Sequence, residues 1–433
     1  MSGVLVYNAS EVATLAGGVR RGVAQADIGL IDGDAAIAAY EGRIIAVGQL
    51  DEVERQLAGL GVSESAITRV DARGGTVTPG LIDPHTHLLF AGTRQAEVEL
   101  RQRGHSYLEI LAAGGGILQT VRATREATDD ELLAHGRRWL SEMLSHGVTT
   151  VEAKSGYGLD LDTELRLLAL YGRLADEGPV EILPTFLGAH AVAPEFRHLD
   201  DAAGEYTAHL MEQHLPAVAQ QGIAASVDVF CEPGVFSVDQ SRQLLTRARE
   251  LGLAVRLHAD QINASGGAEL AAELGALSAD HLGAITDTGV QALASAAEGG
   301  RPVVATLLPL SSFYLGEEHF APARRLIDAA VPVAVGTDFN PGSSPAPNAQ
   351  LALAFAFHRL RLTPGEALAA MTINAAAALG IADSHGSIEV GKHADLVVWQ
   401  PDSHTLLPYW LGANLVRAVI KRGRLMFEAA LDL

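Results

Sequence analysis

Short apolar runs separated by polar turns open the chain: Val4-Leu5-Val6-Tyr7, Ala35-Ala36-Ile37-Ala38-Ala39-Tyr40 and Arg43-Ile44-Ile45-Ala46-Val47-Gly48. Runs of this length are strand-sized, and Glu41-Gly42 between the last two predicts a tight hairpin turn. The same texture returns in 394–399 and 415–427. These segments predict one small β-sandwich domain assembled from both chain ends, residues 1–73 and 387–433.

Between them apolar runs alternate with helical segments, the pattern of βα units on a parallel sheet. The strand candidates are 81–87, 148–152, 180–186, 227–231, 254–258, 276–281, 303–307 and 333–338. Eight such strands close a (β/α)8 barrel, so residues 74–386 are expected to form a TIM-like barrel of the α/β class. Thr128-Asp129-Asp130-Glu131 opens a helix that Gly147 ends, and Ser237-Val238-Asp239-Gln240 opens one that Gly252 ends. The stretch 90–128 is too long for a plain connection and reads as a functional loop over the barrel mouth. Its Gly114-Gly115-Gly116 lacks the spacing of a phosphate loop and reads as backbone freedom.

Composition narrows the partners. The chain has 433 residues, 48% of them hydrophobic and 19% charged, with a formal net charge of -21. That charge repels nucleic acid and anionic membrane, so an anionic small substrate needs a local cationic anchor. No apolar run approaches the roughly 18 residues of a membrane span, and Met1-Ser2-Gly3-Val4 lacks the basic start of a signal peptide. The single cysteine, Cys231, excludes internal disulfides and suits a reducing cytoplasm. A cytoplasmic location is expected.

Barrel sites lie at the carboxyl ends of the strands, where this chain concentrates its chemistry. Strand one ends in His85 and His87, strand five in His258, strand six in Asp280-His281, and strand eight in Gly336-Thr337-Asp338. In an extended run, residues two apart share a face, so His85 and His87 can grip one cation. Singly, each histidine reads equally well as a hydrogen-bonded core residue. Together, three imidazoles and a carboxylate make a site for Zn²⁺ or Fe²⁺ with room for a water.

These residues carry a family resemblance. The stretches 80–94, 149–159, 185–195 and 278–282 resemble the amidohydrolase superfamily, and within it the imidazolonepropionase family. The first is shared widely in the superfamily, whereas the second and third are more specific. The resemblance implies that His85, His87, His258 and Asp338 bind one zinc or iron ion. It implies that Arg94, Tyr107, Tyr157 and His190 hold 4-imidazolone-5-propanoate, and that Asn340, Gly342 and Ser343 contact the product. Arg94 suits the propanoate because a guanidinium binds a carboxylate bidentately; a surface salt bridge is the alternative. None of the three lysines, Lys154, Lys392 and Lys421, lies on the fourth candidate strand, which argues against a lysine-carbamate bridge between two metals.

After His258 some members have Ala-Asp-Glu, but this chain has Ala259-Asp260-Gln261. A glutamine orients substrate without exchanging protons, which leaves acid-base work to Asp338 and His281. The implied reaction is hydrolysis of the lactam C–N bond to N-formimidoyl-L-glutamate in histidine degradation, by a chain expected to form a homodimer. Two alternatives share the ligand set: another cyclic-amide hydrolase or deaminase of the superfamily, and a non-catalytic barrel serving binding or assembly.

Overall fold

Eight parallel strands lie side by side in sequence order: Leu81–Asp83, Val148–Lys154, Glu181–Ala189, Ser226–Cys231, Ala254–Ala259, Ser278–His281, Val304–Leu307 and Val333–Val335. The computed structural model describes residues 3–59, 64–104, 115–300 and 302–430. Small and branched apolar residues dominate these strands because both faces are covered, one by helices and one by the barrel interior. The expected eight-stranded barrel is present.

Strands one and eight end sooner than the apolar pattern predicts, at Asp83 and Val335. Pro84 has no N–H to continue the ladder, and Asp338 turns into a left-handed conformation with φ 53. The barrel closes beyond those ends. Thr86 bridges Phe339, His87 N–H donates to Phe339 O at 2.9 Å, and Asp338 N–H donates to His85 O at 3.0 Å. Closure therefore occurs on the stretches that hold His85, His87 and Asp338.

Helix boundaries follow the cap signals. Thr128 and Glu131 form a capping box on Asp129–Ser145, and Ser237 and Gln240 form one on Val238–Glu250. Gly147 and Gly252 follow these helices at φ 93 and 83, where a Cβ is disfavoured.

The chain ends build one mixed eight-stranded sheet. Gly3–Ala13, Leu30–Tyr40, Arg43–Gln49, Ile67–Asp71 and Thr76–Pro79 come from one end, and Leu396–Trp399, Val416–Lys421 and Arg424–Glu428 from the other. Thr76–Pro79 joins the two halves, pairing Thr76 with Glu11 and Pro79 with Leu396. Its place is in this sheet, so sheet pairing runs past the sequence-based limit at residue 73. Glu41 and Gly42 both have positive φ, the type I′ turn that matches strand twist. Ala394 N–H donates to Gly42 O at 2.9 Å, so the sheet's ends approach around one apolar cluster that includes Val4, Ile37, Val77, Leu396 and Ile420.

An ionic joint ties this sheet to the barrel's amino-terminal face. Lys421 Nζ lies 2.7 Å from Asp395 and 3.1 Å from Glu181, and Arg422 lies 3.0 Å from Glu181. His385 and His393 border the same carboxylates. Two cations already balance the two carboxylates, so the cluster serves the joint and offers little to a further cation.

Candidate active site

Four short stretches of backbone bring the site together, and their strain marks it. Asp260, His281, Leu282 and Asp338 all have positive φ, between 48 and 75. Such conformations cost energy for residues other than glycine, and they persist where packing and bonding fix them. Here they turn side chains from three strand ends towards the mouth that His85 and His87 reach from the first.

His85 Nε2 and His87 Nε2 lie 3.6 and 3.5 Å from Asp338 Oδ1. The rings of His85 and His258 are 4.5 Å apart, and those of His258 and His281 are 5.2 Å apart. Each of two overlapping sets, His85-His87-Asp338 and His85-His258-His281, has ligand atoms within 4.8 Å of one another. All five side chains are buried.

Burial holds His85, His87 and His281 neutral. Desolvation, with the Lys154 ammonium next, keeps His85 well below its ordinary pKa. Desolvation and the neighbouring His258 do the same for His87, and burial pushes His281 to about 3. The 2.7 Å contact of His85 Nδ1 with Asp280 is therefore a hydrogen bond from a neutral ring, which leaves the lone pair on Nε2. His258 Nδ1 sits 3.0 Å from Asp228 Oδ2, so a carboxylate stands behind this ring as well. His85 Nε2 and His258 Nε2 are buried and have no hydrogen-bond partner within the protein. Imidazoles with carboxylates behind them and bare nitrogens in front, beside one more carboxylate, fit a divalent ion.

Sequence reasoning missed what stands behind these ligands. Lys154 ends the second barrel strand with Nζ 2.8 Å from Glu152 and 2.8 Å from Asp228. Arg256 lies 3.3 Å from Asp280 and donates to Pro84 O at 2.7 Å. The barrel interior beneath the mouth is thus a buried network of Glu152, Lys154, Asp228, Arg256 and Asp280. Burial alone would lower the Lys154 pKa, but Asp228 and Glu152 outweigh it and hold the ammonium charged. A charged amine cannot serve as a carbamate ligand. The available signal was a single charged residue inside an apolar strand, as in Val227-Asp228-Val229.

Above the ligands lies a cavity of about 930 Å³, lined among others by His87, Arg94, Tyr157, His190, Gln261, His281, Asn340, Gly342 and Ser343. His190 stacks on His87 at 4.8 Å, and its Nδ1 is 3.0 Å from Gly156 O. Glu164 accepts the N–H groups of Gly156, Gly158 and Leu159, shaping the turn that presents Tyr157. Asn340 Oδ1 accepts from Gly342 N and Ser343 N, both at 2.8 Å. Asp260 accepts N–H bonds from Ser265 and Ala268, and Glu232 from Asn263, so Gln261 stands on a braced loop. Tyr107 lies outside the described residues.

Arg94 differs from its simplest expectation. Its Nε and Nη2 are already bonded to Glu97, at 3.0 and 2.7 Å. Only the Nη1 side of the fork remains for a ligand, and it rests over Gly342, where an added methyl would overlap it.

A sequence profile of the amidohydrolase family matches residues 76–426. The chain is 49% identical to the imidazolonepropionase of Symbiobacterium thermophilum over 98% of its own length and 97% of that protein's. It is 46% identical to the imidazolonepropionase of Geobacillus kaustophilus, with 98% of each chain covered. The chain belongs to the imidazolonepropionase branch of the amidohydrolase family.

Solved structures show how far this fold extends beyond the branch. Guanine deaminase of E. coli superposes with a TM-score of 0.73 at 17% identity, over 99% of this chain and all of that one. A zinc-bound adenosine deaminase from Xanthomonas campestris gives 0.68 at 21%, over 98% of this chain and 92% of the other. At such identities the imidazolonepropionase branch shares with them the barrel and its satellite sheet, and its chemistry must be argued from its own cavity. Among the described residues no helix is long and apolar enough to cross a membrane.

Proposed function

We propose that this chain hydrolyses the lactam C–N bond of 4-imidazolone-5-propanoate, giving N-formimidoyl-L-glutamate, at a site holding one zinc or iron ion. The reading is supported above all by near-full-length likeness to imidazolonepropionases, at 43 to 49% identity across the relatives compared. His85, His87, His258 and Asp338 would hold the ion. Such an ion would lower the pKa of bound water towards about 7 and polarise a carbonyl.

The protein groups then divide the work. Asp338 takes a proton from the attacking water and returns it to the leaving ring nitrogen, so that one water is consumed and no net proton is released by the carboxylate. Neutral His281 donates a hydrogen bond to the ring carbonyl oxygen as it gains negative charge. His190 and Tyr157 flank the ring, Gln261 orients it by hydrogen bonding, and Asn340, Gly342 and Ser343 shape the wall that faces the product. Arg94 anchors the propanoate through the free side of its fork. A homodimer in the cytoplasm completes the proposal.

The test is a product analysis with imidazolone-propanoate and protein loaded with zinc or iron. Ring opening with uptake of one water and no ammonia is expected. Ammonia release with the ring intact would point to a deaminase instead, and absence of any turnover would overturn the reading.

A further inference from the structure

Two guanidinium groups flank Gly342, and one carboxylate lies between them in sequence. Arg94, Glu97 and Arg101 are spaced three and four residues apart at helix Gln95–Gln102, so they fall on one face. All three line the cavity. Arg101 Nη2 lies 3.5 Å from Gly342 O, and its guanidinium stands 5.4 Å from the centre of the Tyr314 ring. Both arginines thus converge on the wall formed by residues 340–343.

Their charges are unequal in effect. Glu97 takes two hydrogen bonds from Arg94 and a third from Gly116 N–H at 2.7 Å. Burial would raise its pKa, but the bond and charge of Arg94, the Gly116 N–H and the charge of Arg101 outweigh that and keep Glu97 ionised. Arg94 is therefore largely matched within the protein. Among the described residues no carboxylate forms a direct ion pair with Arg101. The trio carries two positive charges and one negative, leaving one positive charge on this wall of a cavity whose remaining lining sets Arg197 against Asp200, Asp201, Glu232, Glu317 and Asp338. One carboxylate from a ligand would balance it.

We propose that Arg101 is a second binding residue for the substrate's carboxylate tail, supplying the unmatched charge, while Glu97 fixes Arg94 so that Nη1 faces the same tail. This inference rests on the substrate assigned above. It adds a residue outside the expected set of Arg94, Tyr107, Tyr157, His190 and Gln261. It also accounts for the observation that the Arg94 fork is mostly taken.

Arg101→Met keeps much of the apolar stem and removes the charge, and Arg101→Lys keeps the charge without the fork. With imidazolone-propanoate, Arg101→Met is expected to lower kcat/KM by about tenfold to a hundredfold, through KM, with kcat within about threefold of the parent. Arg101→Lys should recover part of the loss. An imidazolone lacking the carboxylate should be turned over equally by parent and Arg101→Met. In calorimetry, N-formimidoyl-L-glutamate should bind Arg101→Met more weakly by a similar factor, and the melting temperature should match the parent's. An unchanged KM, or equal loss on both rings, would overturn the role of Arg101 while leaving the reaction assignment intact. Absence of turnover by the parent protein would overturn both.

Discussion

Replacing His258 by alanine is expected to yield a folded barrel that no longer retains a divalent ion and opens the imidazolone no faster than buffer does. His258 is buried at the end of the fifth barrel strand, and its Nε2 has no partner within the protein. Loss of a residue behind a ligand commonly costs about 10- to 100-fold in metal affinity, so loss of a ligand itself should exceed that. The fold should survive, because Asp228 keeps Lys154 at 2.8 Å and the apolar core does not run through the imidazole. Circular dichroism reports the fold and elemental analysis the ion. Full metal occupancy in His258→Ala would mean that the ligand set is wrong.

Lys154→Met should have the larger effect on stability. Lys154 is completely buried between Glu152 and Asp228, with Asp280 at 3.9 Å. Removing one partner of a buried ion pair leaves carboxylates desolvated and uncompensated, a loss of about 3–5 kcal/mol. The unfolding free energy of the metal-free protein in urea should fall by that amount. Asp228 would also hold His258 less firmly, so metal affinity should drop by about 10- to 100-fold. A loss of stability below about 1 kcal/mol would show that water or Arg256 compensates the carboxylates and that Lys154 is not the centre of the network.

The fold and the clustering of the candidate ligands were legible because they are written in local patterns. Apolar runs alternating with capped helices mark βα units, and His85, His87, His258, His281 and Asp338 stand at the ends of such runs. Strand lengths were less legible at 81–87 and 333–338. Apolar character continues there, but Pro84 and the left-handed turn at Asp338 stop the ladder and let the barrel close through Thr86 and Phe339. The support beneath the ligands was not legible at all. Asp228 and Arg256 are lone charges in apolar strands, and their partners come from strands distant in sequence, so only folding pairs them. Glu164 and Glu97 escaped for a different reason. A carboxylate in the first turn of a helix reads as dipole compensation, whereas here Glu164 folds back on the Tyr157 turn and Glu97 on Arg94. The bidentate grip expected of Arg94 on a ligand is accordingly spent largely within the protein.

We propose that the ring opens only when His85, His87, His258 and Asp338 together hold one divalent ion. The most direct test is titration of metal-free protein with zinc or iron while turnover and bound metal are followed together. Activity rising linearly and levelling at one equivalent per chain is the expected result. Full activity in rigorously metal-free protein, or activity that keeps rising to a second tightly bound equivalent, would contradict it.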